Sequence, residues 1–205
     1  MLVFALVNPA GAEIAAPRTV VVLGDSLSAG YGIKVKDGWV NLLAQRITSE
    51  GYGYKVVNAS VSGETTQGGL ARLPRVLTLH KPSVLIVELG GNDGLRGLPL
   101  AVSRDNLRRT IELARAANAK VVLVGMLIPP NYGPRYAQEF RDMYSALAKE
   151  HSVVLVPFLL DRVALETGFM QKDGIHPNAL GQPRMLENVW PKLKPLLVAP
   201  SKPAS

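Results

Sequence analysis

Residues 83–94 read SVLIVELGGNDG. A short, nearly continuous apolar run that breaks into glycines is how a parallel strand buried on both faces reads, with a loop at its carboxyl end. Similar β-branched runs recur at 19–23, 54–58, 120–127 and 153–157, the fourth including VVLVGML. Between them lie segments with helical spacing. Residues 39–50 place Val40, Leu43, Ala44 and Ile47 on one face and stop at Gly51, a left-handed cap. Residues 70–80 end before Pro82, with Pro74 expected to kink or delay the helix. Residues 103–118 start at Ser103 as N-cap and bury Leu107, Ile111 and Ala114. Two more helices are expected at 134–150 and at about 179–194, the last interrupted by Pro183.

The sum is an alternating β/α pattern, which calls for a parallel sheet with helices on both faces: an α/β class, three-layer α/β/α sandwich. Five strands fit the flavodoxin-like order 2-1-3-4-5, whose ligands sit at the carboxyl ends near the switch between strands 1 and 3. At 205 residues the chain suits one domain, expected over 18–198, with 199–205 as a tail.

Composition narrows the class. With 47% hydrophobic and 19% charged residues the chain reads as globular. No apolar run approaches the roughly 18 residues of a membrane helix, so stable membrane insertion is not expected. Cysteine is absent, which excludes disulfides and thiolate metal sites. The net charge of +7 is scattered, and aromatics make up only 6%, so a solvated surface is favoured over a nucleic-acid groove. Within 103–118, Arg108 sits four residues before Glu112 and can pair with it. Residues 1–7, MLVFALV, precede a small-residue stretch with an A-x-A-like pattern at Ala10-Gly11-Ala12. Residues 1–17 therefore read as the back half of a secretory signal, implying a periplasmic or secreted protein, or else as a disordered tail.

The loops after the first three strands carry the chemistry. They are Gly24-Asp25-Ser26-Leu27-Ser28, Asn58-Ala59-Ser60-Val61-Ser62-Gly63 and Gly90-Gly91-Asn92-Asp93-Gly94. In the 2-1-3 order Ser26 falls between Gly63 and Asn92. A fourth segment, Asp173-Gly174-Ile175-His176-Pro177-Asn178, lies between strand 5 and the last helix. A serine hydroxyl needs a base to become a nucleophile, and His176 is the side chain suited to that near neutral pH. Asp173, three residues earlier, can orient the imidazole and stabilise its cation. The Gly63 and Ser26 amides and the Asn92 side chain can supply oxyanion donors, and glycine at 63 leaves room for close approach. Alone, each motif is bland: Asp25 and Asp93 suit loop-bracing roles, Gly63 a turn, and Asn92 a loop cap. His80 and His151 read as helix-terminal cations. An Asp173–His176 metal pair is disfavoured without a second nearby histidine, and no metal or cofactor is expected. The serine is not in G-x-S-x-G, and the glycine runs fit neither a P-loop nor a dinucleotide motif.

The blocks GDSLSAGYG (24–32), NASVSGETTQGGLARLP (58–74), VELGGNDGLRG (87–97), LIPPNYG (127–133) and DGIHPN (173–178) resemble the SGNH, or GDSL, hydrolases. The resemblance covers about residues 18–197 and is greatest to the bacterial branch acting as acyl thioesterase, lysophospholipase and arylesterase. It implies Ser26 as nucleophile, Gly63 and Asn92 as oxyanion donors, Asp173 and His176 completing a triad, and small acyl esters or thioesters as substrates. It also implies a flavodoxin-like fold, an exported protein, and a segment at 95–100 that moves over bound acyl chains. The alternatives are carbohydrate deacetylation by the same triad, or a non-catalytic binding module on the same scaffold.

Overall fold

The structure is a computed structural model that describes residues 18–198; the residues read as a signal segment and as a carboxyl tail lie outside it. Five strands form one sheet: β1 (Arg18–Gly24), β2 (Tyr54–Asn58), β3 (Val84–Glu88), β4 (Lys120–Val124) and β5 (Val154–Val156). Their order is β2-β1-β3-β4-β5 and every pairing is parallel. All five residues of β3 are buried, as are the last five of β1, because helices cover both faces.

In chain order the helices are α1 (Ser26–Ala29), α2 (Trp39–Ser49), α3 (Thr66–His80), α4 (Gly91–Leu95), α5 (Leu100–Ala116), α6 (Pro134–Glu150) and α7 (Gln182–Leu193). Helices α2 and α7 pack together on one face; α3, α5 and α6 form the other layer. Trp39, Leu43 and Ile47 of α2 are fully buried, as are Leu107 and Ile111 of α5 and Phe140 and Leu147 of α6. Burying a side chain of this size stabilises the fold by about 1.5–3 kcal/mol. Arg108 pairs with Glu112 at 2.7 Å, as its spacing suggests, and with Asp105 at 2.6 Å.

Several elements depart from the sequence reading. Strand β4 stops at Val124, not 127; beyond it the Gly125 N–H donates to the Val156 carbonyl at 2.7 Å and its carbonyl accepts from the Leu159 N–H, and a Cβ at 125 would collide with Pro157. Helix α3 starts at Thr66, capped by the Thr65 hydroxyl, and continues through Pro74. Helix α5 starts at Leu100 after Pro99, so Ser103 is no N-cap. It lies inside the helix, fully buried, and its hydroxyl donates to Asp93 at 3.0 Å. Helix α7 starts at Gln182, and Pro183 sits in its first turn, where the missing N–H costs nothing.

Candidate active site

The site forms where β1, β2 and β3 end side by side. Just after β1, Asp25 caps the short helix α1: its Oδ1 accepts from the Leu27 N–H at 3.0 Å. This leaves Ser26 at the first position of that turn. The chain leaving β2 continues along β1, with the Ala59 N–H donating to the Val22 carbonyl and the Val61 N–H to the Gly24 carbonyl at 3.0 Å. Asn58 ties this segment to α1 by donating to the Ser28 carbonyl at 2.7 Å. It then turns at Gly63, whose φ of 79° is a left-handed conformation that glycine adopts without strain.

Beyond β3 the chain passes Gly90, with φ of 111°, into α4, so the expected loop is a short helix. Asn92 lies in its first turn. The Asn92 amide donates to Asp25 Oδ2 at 3.0 Å and to the Glu64 carbonyl at 2.9 Å, spanning the ends of β1 and β2. Asp93 points into the protein. Its carboxylate accepts from the Thr66 N–H at 2.9 Å, the Thr66 hydroxyl at 2.5 Å and the Ser103 hydroxyl. Both aspartates thus brace loops, the role their residue type suggests.

The fourth piece comes from the long connection between β5 and α7. Its residues 169–178 fold back on themselves: Met170 and Pro177 form an antiparallel bridge, and the Gln171 N–H donates to the His176 carbonyl at 2.8 Å. At the tip, Asp173 Oδ1 accepts from the N–H groups of Ile175 and His176 at 2.9 and 3.0 Å. Its Oδ2 lies 2.7 Å from His176 Nδ1. His176 Nε2 lies 2.9 Å from Ser26 Oγ. With Nδ1–H donating to the carboxylate, Nε2 is left to accept the serine proton. The two bonds from the His176 backbone and side chain hold the Asp173 carboxyl at about 2, below its ordinary 3.8, so it is charged through the neutral range.

The structure therefore joins Ser26, His176 and Asp173 by hydrogen bonds, and places Asn92, bonded to Asp25, and Gly63 on the segments that follow β3 and β2. His80 and His151 stand apart at the carboxyl ends of α3 and α6. Among the described residues no cluster of three or more histidine, cysteine or acidic side chains could hold a metal.

Three side chains at the site carry no role in the sequence analysis: Tyr31 and Glu88, inside the blocks at 24–32 and 87–97, and Gln171, outside any block. The Tyr31 ring lies against the imidazole of His176, centroids 4.5 Å apart. The Gln171 amide donates to the carbonyls of Tyr31 (2.8 Å) and Pro177 (3.0 Å), fastening the histidine loop to the serine loop. Glu88, the last residue of β3, lies fully buried beneath the serine loop. A signal did exist for this residue, since an acid within an apolar strand is costly unless it has partners. The segment 95–100 is also held. The Tyr132 and Tyr136 hydroxyls donate to the Leu95 and Leu98 carbonyls at 3.0 and 2.9 Å, and Arg96 donates to the Gly63 carbonyl at 3.1 Å.

A five-stranded parallel sandwich carrying a serine, an imidazole and a carboxylate in hydrogen-bond sequence at its carboxyl rim defines a serine hydrolase of the flavodoxin-like kind. The chain belongs to the GDSL-like lipase/acylhydrolase family, whose model matches residues 22–184. It is 54% identical over 183 residues to the esterase TesA of Pseudomonas aeruginosa, covering 89% of this chain and 91% of that one. The crystal structure of TesA superposes with a TM-score of 0.86, covering 88% of this chain and all of the other. Thioesterase 1/protease 1/lysophospholipase L1 of Escherichia coli is 45% identical over 89% of this chain and 86% of its own length. The psychrotrophic esterase EstA of Pseudoalteromonas, in a structure inhibited by monoethylphosphonate, is 38% identical with a TM-score of 0.83, over 87% of this chain and 97% of that one. The protein is a carboxylic ester hydrolase.

Proposed function

We propose that Ser26 is the nucleophile of an acyl-transfer cycle on small esters and thioesters of acyl chains, with His176 as base and Asp173 as its orienting anion. The observation that carries the reading is the unbroken sequence Ser26 Oγ, His176 Nε2, His176 Nδ1, Asp173 Oδ2, with gaps of 2.9 and 2.7 Å. His176 takes the serine proton as Oγ adds to the carbonyl carbon. The imidazolium, stabilised by Asp173, then protonates the departing oxygen or sulfur, leaving an acyl group on Ser26. Water, deprotonated by the same imidazole, adds to the acyl carbon; the serine leaves with the proton and the free acid departs.

The negative oxygen of each tetrahedral stage faces the amides of Ser26 and Gly63 and the side chain of Asn92. Both Asn92 amide hydrogens are already engaged, one by Asp25 and one by the Glu64 carbonyl. The oxyanion draws the second away from Glu64 while the bond to Asp25 keeps the amide aimed. The exposed apolar side chains of Tyr31, Val61 and Ile175 flank the serine and histidine loops and suit an acyl substituent. The relatives named thioesterase and lysophospholipase support thioesters and lysophospholipids as further substrates. The single sheet supports one catalytic domain over residues 18–198, and the apolar start of the chain supports export. Among the described residues no helix is long and apolar enough to cross a membrane, and the scattered basic residues favour no nucleic-acid partner.

The test is covalent capture. An organophosphonate should label one mole per mole on Ser26, as located by peptide mass spectrometry. Ser26→Ala should remove both labelling and p-nitrophenyl ester turnover while its circular dichroism stays that of the parent. A Ser26→Ala protein with parental turnover overturns the reading. A series of acyl chain lengths against acetylated sugars separates the acyl-chain reading from carbohydrate deacetylation.

A further inference from the structure

Glu88 is the only fully buried acid among the described residues. Its Oε2 accepts two hydrogen bonds: from the N–H of Asp25 at 3.2 Å and from the hydroxyl of Ser28 at 2.6 Å. These residues flank Ser26 on either side. Its other oxygen has no donor among the described residues, and its hydrogen bonds come from no lysine, arginine or histidine. An ionised carboxylate placed there would lack both water and a counter-charge, which costs several kcal/mol. The nearest acid along the chain that Glu88 grips is Asp25, whose N–H donates to it and whose own carboxyl is almost completely buried.

We propose that Glu88 is a positioning residue that works as a neutral carboxylic acid: it grips both sides of Ser26 with one oxygen and donates its proton toward Asp25, which stays a carboxylate and aims the Asn92 amide. This rests on the reading of Ser26 and Asn92 given above. One proton serves the pair, because two adjacent carboxylates in a buried site cannot both ionise. The arrangement forms a chain from β3 through the serine loop to α4: Glu88 to Asp25, and Asp25 Oδ2 to the Asn92 amide at 3.0 Å. It also accounts for Gly24, where a Cβ would come within 2.6 Å of Glu88 Oε2 and 2.8 Å of the Ser28 hydroxyl. The other titratable groups that bear on the pair are His176, beside Asp25, and the buried hydroxyl of Tyr144, which donates to the Leu89 carbonyl. Burial pushes both acids upward, Glu88 well above its ordinary range and Asp25 to about 6, which favours the protonated form on the deeper residue.

The discriminating pair of variants is Glu88→Gln and Glu88→Met. Glutamine reproduces the neutral acid, one oxygen to accept and an N–H to donate, whereas methionine fills the space and does neither. Glu88→Gln should keep kcat within about threefold of the parent, and Glu88→Met should lose on the order of 10-fold in kcat with KM within about twofold. Rates are expressed per phosphonate-titrated site, so that an effect on folding alone leaves them unchanged. Glu88→Gln falling as far as Glu88→Met overturns the proposal, because a charged carboxylate is then required. Parental kcat in both variants overturns it too, because the residue then positions nothing. If Glu88→Met does not fold, 13C NMR of glutamate-labelled parent protein decides. A side-chain carboxyl resonance at the protonated position at pH 7, absent in Glu88→Gln, supports the proposal, and one at the ionised position overturns it. Failure of the catalytic reading is distinguishable, since the parent protein would then take up no phosphonate.

Discussion

The two halves of the site are built in opposite ways. The serine half is cut into the body of the sheet. Ser26 lies between buried Asp25 and Ser28, with Glu88 beneath and Asn92 alongside, all at the ends of β1 and β3. The histidine half stands on a connection of 25 residues between β5 and α7. There the Asp173 side chain is 38% exposed and that of His176 17%. One side is fixed by burial and cross-strand hydrogen bonds. The other is fixed by its own turn, by Gln171 and by the ring of Tyr31. On the proposed mechanism, disturbing the first half should affect both fold and turnover, whereas disturbing the second should misplace the imidazole and leave the core intact.

The sharpest test of that division is Asp173→Asn. It keeps the shape of the turn but removes the anion and disturbs the imidazole tautomer, so kcat should fall on the order of 10⁴-fold. Because the group is exposed, the melting temperature should hardly change; a large drop would place the histidine loop in the folding core and break the comparison. Asn92→Ala, on the buried side, should cost on the order of 10²–10³ in kcat by removing one oxyanion donor. It should also lower the melting temperature, because Asp25 and the Glu64 carbonyl lose a shared donor.

Asp93→Ala reverses the balance. It strands the hydroxyls of Thr66 and Ser103 and the Thr66 N–H, and about 3 kcal/mol of stability should be lost in denaturant titration. Gln171→Ala should give the smallest effect. It unfastens the histidine loop from Tyr31, so kcat should fall about 10-fold with less than about 1 kcal/mol lost in stability.

The buried acids also give the stability curve a sign. Glu88 binds its proton more tightly folded than unfolded, where its ordinary value is 4.5. Its contribution is complete below that value and is lost as pH rises toward the folded one, by up to about 1.4 kcal/mol per pH unit. Asp25 acts in the same direction between its ordinary 3.8 and about 6. Asp173 acts oppositely and lower: its contribution is present above 3.8 and lost as pH falls through about 2. In urea unfolding, Glu88→Gln should gain on the parent between pH 5 and 8; parallel curves would mean that Glu88 is ionised in the folded protein.

Particular residues mark how far the sequence could be read. The run 83–89 announced a doubly buried strand, and β3 is that strand, because hydrophobic patterning reports burial directly. The ends were less legible. Ser103 looked like an N-cap, yet the Asp93 carboxylate, ten residues earlier, claims its hydroxyl. The helix expected from residue 70 begins at Thr66, which Asp93 secures from across the fold. Local propensity cannot register a partner that arrives through another loop.

By itself the sequence determined the alternation of strands and helices, the 2-1-3-4-5 order, and which residues are candidates for the chemistry. Those follow from periodicity and from the side chains themselves. Only the tertiary structure decided that 150 residues of separation close to 2.9 Å between Ser26 and His176. It alone placed Tyr31 against the imidazole and set Glu88 beneath the serine loop. Distances between loops depend on how the sheet twists and how every intervening layer packs, a sum over the whole core that no single stretch of residues contains.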